Sequence, residues 1–208
     1  MGYHTIQNLV KGEHRTDDSV VYLPYQLIHE TFWRDKETKE RVSSFPSLTD
    51  EETNLLFQRL KIEFEASDDF REISSVMKSP AIPSGIRKIV AFACGSPSVG
   101  PGCIPCVMQH ILVLALKDML SGKNGNAAVI QCFAQDPIYS DMDKQLLGKH
   151  GITVLDDPRG FLQLDESSIV ISIAPNIPVK QIVTDLARPA VIIWNSISGD
   201  PIYSTAQW

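Results

Sequence analysis

From Arg87 onward, short apolar runs alternate with amphipathic stretches. RKIVAFAC (87–94), AVIQCFAQD (128–136), ITVLD (152–156), SIVISIAP (168–175) and AVIIWN (190–195) are brief and rich in β-branched residues. Several are apolar at successive positions, the signature of strands buried on both faces of a parallel sheet. Between them lie stretches with helical periodicity: IPCVMQHILVLALKDML (104–120), stopped at Ser121-Gly122; DMDKQLLGKHG (141–151), closed by Gly151; and PVKQIVTDLA (178–187). Strand-helix-strand alternation predicts an α/β fold, a Rossmann-like sheet of about five parallel strands with helices on both faces, in the order 3-2-1-4-5. Its site belongs beyond the carboxyl ends of the strands, where Gly95, Asp136, Asp156, Pro175 and Asn195 should converge.

Upstream the pattern changes twice. SLTDEETNLLFQRLKIEFEAS (47–67) reads as a helix capped by Ser47 or Thr49, with Leu55, Leu56, Leu60, Ile62 and Phe64 as its apolar face. A second helix fits DDFREISSVMKS (68–79), ended by Pro80 and Pro83. Residues 1–46 are polar and weakly periodic, with a charged run RDKETKER at 34–41, and read as a partly flexible arm. The division predicted is an arm over 1–46 and a Rossmann-like domain over 47–208, which includes its leading helices (47–80).

Composition narrows the function. The chain has 208 residues, 43% hydrophobic, enough for one full core. A net charge of −6 argues against a broad nucleic-acid-coating surface but leaves room for a local basic groove. No apolar run approaches the ~18 residues of a membrane span, and the start lacks the basic-then-apolar order of a signal peptide. Four cysteines in a chain this long do not make a disulfide framework, and a reducing, cytoplasmic setting is expected.

The densest candidate chemistry is VAFACGSPSVGPGCIPCVMQH (90–110). Gly95, Ser96 and Ser98 lie in a strand-to-helix loop that suits a substrate-facing turn or a plain connector; it is neither G-x-G-x-x-G nor a Walker loop. Ser96 and Ser98 are the best-placed hydroxyls for a transient acyl-enzyme, although no base lies beside them in sequence. Cys103, Cys106 and His110 have redox or zinc-like spacing, but further ligands are missing and buried structural cysteines are the commoner outcome. No metal or cofactor is expected. Asp136 follows the second strand with Tyr139 close behind, where an acid binds a ribose diol or a substrate amine. Asp156, Asn176 and Asn195 follow the third, fourth and fifth strands; they complete a polar pocket or satisfy turn backbone. Asp68 and Glu72, at i,i+4 on one helix, suit a guanidinium grip, a general base for an attacking α-amine, or a favourable interaction with the helix dipole.

The run KIVAFACGS…QH, CFAQDPIYSDMDKQLL and GITVLDDPRGFLQLDESSIVISIAPNIPVKQIVTDLARPAVIIWN resembles the Sensitivity to Red Light Reduced domain family in its fungal form, over about residues 87–197. The resemblance implies a Rossmann-like fold. The plant and animal members are regulatory, tied to light or clock signalling and haem metabolism. A fungal branch similar to this group, the arginine-containing cyclodipeptide synthases, implies an enzyme that condenses arginine with a second amino acid. Both would come from aminoacyl-tRNA, and the branch needs an Asp-Asp-x-x-Glu motif. Asp68-Asp69-Phe70-Arg71-Glu72 fits it; Asp156-Asp157-Pro158-Arg159-Gly160 fits only the first half. The resemblance thus implies Asp68, Asp69 and Glu72, with Ser96, as catalytic candidates and aminoacyl-tRNA as the partner. Arg87, Lys88, Lys117, Lys123, Lys180 and Arg188 are the expected tRNA contacts. A non-enzymatic, ligand-sensing domain is the alternative.

Overall fold

The computed structural model describes residues 37–38, 47–123 and 129–195. The chain divides into Met1–Ser43 and Ser44–Trp208, and all that follows concerns the second unit. The predicted N-terminal arm lies almost wholly outside the described residues.

Five strands, β1 (Lys88–Phe92), β2 (Gln131–Gln135), β3 (Ile152–Val154), β4 (Ser168–Ser172) and β5 (Val191–Trp194), form one sheet in the order 3-2-1-4-5. Every neighbouring pair is parallel. The helices are α1 (Asp50–Glu65), α2 (Asp68–Lys78), α3 (Ile104–Lys123), α4 (Asp141–Lys149) and α5 (Val179–Leu186). The expected α/β architecture is therefore present, and the strand order reverses direction between β1 and β4.

Side-chain alternation along β1 divides the core. Ile89 and Ala91 join the large cluster that includes Val107, Ile111 and Leu116 of α3 and Leu146 and Leu147 of α4. Val90 and Phe92 point the other way, to Phe161, Val170, and Val179 and Val183 of α5. Because alternate residues of a strand face opposite sides, an almost wholly apolar strand is what a doubly covered sheet requires. At about 25 cal/mol per Å² of apolar surface, this burial is the main stabilising term of the fold.

Helix α3 is the one described helix long and apolar enough to cross a membrane. It runs further than the sequence pattern suggests, through Gly122 to Lys123. Its apolarity has another cause: it is a core helix, packed on α1, α2, β1 and β2.

Helix α1 is capped by Thr49, which forms a reciprocal capping box with Glu52. Its buried stripe is Thr53, Phe57, Leu60 and Phe64. Two members of the expected face, Leu55 (60% exposed) and Ile62 (69%), lie on the outside. The stacking of Phe57 on the His150 ring and the ion pair of Lys149 with Asp50 (2.7 Å) set the helix phase, and neither contact is visible in local periodicity.

Candidate functional site

All five strands run the same way, so the segments following them share one edge. Gly95 and Asp136 meet there directly: the Gly95 N–H donates to Asp136 Oδ2 at 2.8 Å, while Asp136 Oδ1 accepts from the Ile138 N–H at 3.1 Å. The Ala174 N–H donates to Asn195 Oδ1 at 2.7 Å. Asp136 and Asn195 thus brace the tails of adjacent strands. Asn176 and Asp156 are exposed, and Asp156 lies 3.8 Å from Lys144.

The β1 strand ends at Phe92, two residues before Cys94. Ala93 and Ala174, just beyond β1 and β4, both adopt left-handed backbone (φ +55° and +53°). Each costs a non-glycine residue on the order of 1 kcal/mol. They flank the point where the strand order reverses, and such strain concentrates at functional sites. Gly95 (φ +74°) is glycine for a second reason: a Cβ there would lie 2.5 Å from Cys106 Sγ.

Ser96 and Ser98 are buried within this loop. Ser96 is buried and its hydroxyl donates to Asp143 Oδ2 at 2.8 Å; the Ser98 N–H donates to Ser96 Oγ at 3.3 Å. Asp143 Oδ2 also accepts from the Ser140 hydroxyl (2.8 Å) and N–H (2.9 Å). Beside this network, the Tyr139 hydroxyl donates to His110 Nε2 at 2.7 Å, and His110 Nδ1–H donates to the Cys106 carbonyl at 2.6 Å. Burial pulls the His110 pKa down to about 4, partly opposed by the Cys106 carbonyl and by Asp143 and Asp136, so the ring is neutral. Burial pushes the Tyr139 hydroxyl far above its ordinary range. It also raises the Cys94, Cys103 and Cys106 thiols, which disfavours the reactive thiolate. Among the described residues, no group of three or more His, Cys, Asp or Glu is arranged to hold a metal ion.

Among the described residues, three cavities open near this edge: one of about 410 Å³ lies among Leu55, Leu56, Arg59, Gly100, Cys103 and Ile104, and two more, a smaller and a larger, hold acidic candidates. The smaller, about 200 Å³, lies among Asp136, Tyr139, Lys144, Val154, Asp156 and Asp157. The larger, about 320 Å³, is walled by Phe64, Ile73, Met108, Leu112 and Ile173, with Asp69, Glu72 and Gln109 as its polar members. Ile173 immediately follows β4, so this cavity sits where α1, α2 and α3 meet the carboxyl end of a strand. Ser96 and Ser98 line neither cavity.

The acidic motif divides within α2, which Ser67 caps. Asp69 and Glu72, at i,i+3, line the larger cavity. Asp68 is 92% exposed and ion-paired with Arg71. The pair facing the cavity is therefore Asp69 and Glu72, not Asp68 and Glu72. Phe70, Ile73 and Met77 anchor the helix on the core, which leaves Asp68 on nearly the opposite side.

The basic residues also fall differently from expectation. Arg87 precedes β1 and Lys88 begins it, Lys117 and Lys123 lie in the second half of α3, and Arg188 follows α5, all toward the amino edge of the sheet. Lys88 is held by Asp165 (2.5 Å) and the Gln163 carbonyl (3.0 Å). Of the six, Lys180 alone starts a helix at the carboxyl edge, over the Trp194 ring. Lys144 and Arg159, which local sequence gave no reason to choose, join it at that edge.

Together, a parallel sheet in this order, a strained strand-to-helix turn and a carboxyl-edge cavity define a Rossmann-like domain. The family model described as the SRR1 domain matches residues 73–201, and the chain belongs to that family. The match begins immediately after Glu72, so the acidic motif lies outside it. No curated protein matches the chain, and no solved structure does.

Proposed function

We propose that the protein is a tRNA-dependent arginine-containing cyclodipeptide synthase of the cytoplasm. The observation that carries this reading is the apolar cavity at the carboxyl edge with Asp69 and Glu72 on it. Such a cavity suits an aliphatic stem ending in a planar, permanently charged guanidinium, which pairs bidentately with carboxylates. The substrate esters are already activated, so no ATP is required. The α-amine of one aminoacyl group attacks the ester carbonyl of the other; the C–N bond forms, the C–O bond breaks, and the tRNA 3′-oxygen leaves with a proton. A second, intramolecular aminolysis closes the diketopiperazine and frees the other tRNA. Lys144, Arg159 and Lys180 are the candidate contacts for the acceptor end, and binding should weaken steeply with salt. With Ser96 buried and bonded to Asp143, direct aminolysis is favoured over an acyl-serine route.

Purified protein supplied with Arg-tRNA and a panel of other aminoacyl-tRNAs, read by mass spectrometry, tests the proposal. An arginine-containing cyclic dipeptide is expected; none with any pair would remove the enzyme reading. A ligand-sensing domain is the second reading. The buried serines favour it, because the described residues show no accessible nucleophile–base pair near the cavity.

A further inference from the structure

Gln109 stands out among the residues of the larger cavity. Its Oε1 is shielded from solvent and has no hydrogen-bond donor within reach. A buried acceptor left unmade costs roughly 1–3 kcal/mol, so an unpartnered one calls for an explanation. The residues around it are apolar, Met108, Leu112, Ile73, Phe64 and Ile173, and none carries a donor on its side chain. The polar side chains that share the cavity, Asp69 and Glu72, are acceptors when ionised. The cavity therefore holds acceptors from two helices, α2 and α3, and the one side-chain donor among its lining residues is the Gln109 amide nitrogen itself.

We infer that Gln109 is a specificity-determining residue, its amide oxygen accepting one N–H of a substrate guanidinium whose other N–H groups face Asp69 and Glu72. This rests on the synthase reading and extends it by naming the group that distinguishes arginine from lysine. A guanidinium presents five N–H donors in a fixed plane, enough for three acceptors on different sides. An ammonium is a compact, strongly hydrated charge and cannot span them at once. The terminal amide torsion of glutamine is broad, so a small rotation presents Oε1 to the cavity.

The test compares the full chain with Gln109→Met, which keeps length and removes the acceptor, and Gln109→Glu, which keeps an acceptor. Three readouts are needed: the thermal midpoint, product formation from Arg-tRNA against Lys-tRNA, and calorimetric binding of L-arginine methyl ester against L-lysine methyl ester. The Met variant should be at least as heat-stable as wild type, since an unsatisfied acceptor is gone. Its preference for arginine should fall about tenfold or more, the worth of one hydrogen bond to a charged group. The effect should appear mainly in KM, and Gln109→Glu should restore the preference. A merely structural glutamine would give the reverse, lower stability with preference unchanged, and would overturn the inference while leaving the synthase reading intact. Wild type that makes no product yet binds the arginine ester in a Gln109-dependent way would remove the reading and keep the site. Wild type that neither makes product nor binds the ester would remove both.

Discussion

Two polar regions lie side by side at the carboxyl edge, and they are built on opposite terms. Behind the β1 loop, one carboxylate oxygen of Asp143 takes three hydrogen bonds from Ser96 and Ser140, and beside that group Tyr139 bonds to His110. The larger cavity is lined by Asp69, Glu72 and Gln109, and Gln109 Oε1, shielded from solvent, has no partner. The first region spends most of its polar groups on itself, with Asp143 Oδ1 the buried exception, and holds the loop in place. The second leaves an amide oxygen unpaired beside two exposed carboxylates. The serines that look most reactive in the sequence sit in the first, and an unremarkable helical glutamine sits in the second.

The comparison breaks most visibly under Asp143→Ala. Buried Ser96 would lose its acceptor and the exposed Ser140 its capping partner, and stability should fall by about 3 kcal/mol in urea unfolding. A loss under about 1 kcal/mol would show that the network is dispensable.

Acid attacks the same region. His110 stays neutral in the fold, with its pKa lowered from 6.5 to about 4. The unfolded chain therefore binds a proton that the native chain refuses between those values, and stability drains as pH falls through that window. At roughly 1.4 kcal/mol per pH unit the loss is about 3 kcal/mol. His150, held low by burial and by Lys61 and Lys149, adds a smaller share in the same direction. Below about pH 4 the Asp165 carboxyl, held low chiefly by Lys88 and Ser167, adds to the loss as it takes up a proton. Unfolding at pH 7, 5.5 and 4 should show a flatter profile for His110→Gln than for wild type.

The cavity should answer in activity rather than stability. Asp69 and Glu72 are themselves exposed, so Glu72→Gln and Asp69→Asn should each lower arginine incorporation by about fivefold, close to 1 kcal/mol. Asp68→Asn, which faces solvent, should change it by less than about threefold. Equal losses in all three would mean that the motif acts as a unit and that the division within α2 does not matter. The smallest effect concerns strain. Ala174→Gly should raise stability by about 0.5 kcal/mol by relieving the left-handed backbone, offset by glycine's entropy.

The sheet was legible because a strand covered on both faces must be apolar at successive positions, and β1 and β4 are. The caps at Thr49, Ser67 and Ser140 follow the local chemistry of helix starts. Helix phase was harder. Leu55 and Ile62 fit an apolar stripe as well as Thr53 and Phe57 do, and the deciding contact, Phe57 on His150, joins positions far apart in the chain. The bond between Ser96 and Asp143 spans 47 residues, and that between His110 and Tyr139 spans 29. Neither leaves a mark in short-range pattern. The division of the acidic motif did leave one: Phe70, Ile73 and Met77 fix which side of α2 is inward, and Asp68 falls opposite. Gln109 left none, because what marks it is a missing partner.

The start of the family match at Ile73 has a consequence for how such a cavity could diversify. The sheet, α3 and Ile173 belong to the shared domain, while Phe64, Asp69 and Glu72 come from the segment before it. The acids sit on exposed turns of α2, where substitution disturbs little of the core. A lineage, or an engineer, could therefore rewrite the acid side of the cavity by exchanging residues 68–72 alone. A graft of that stretch onto another member of the family would ask whether ligand choice travels with so short a piece of chain.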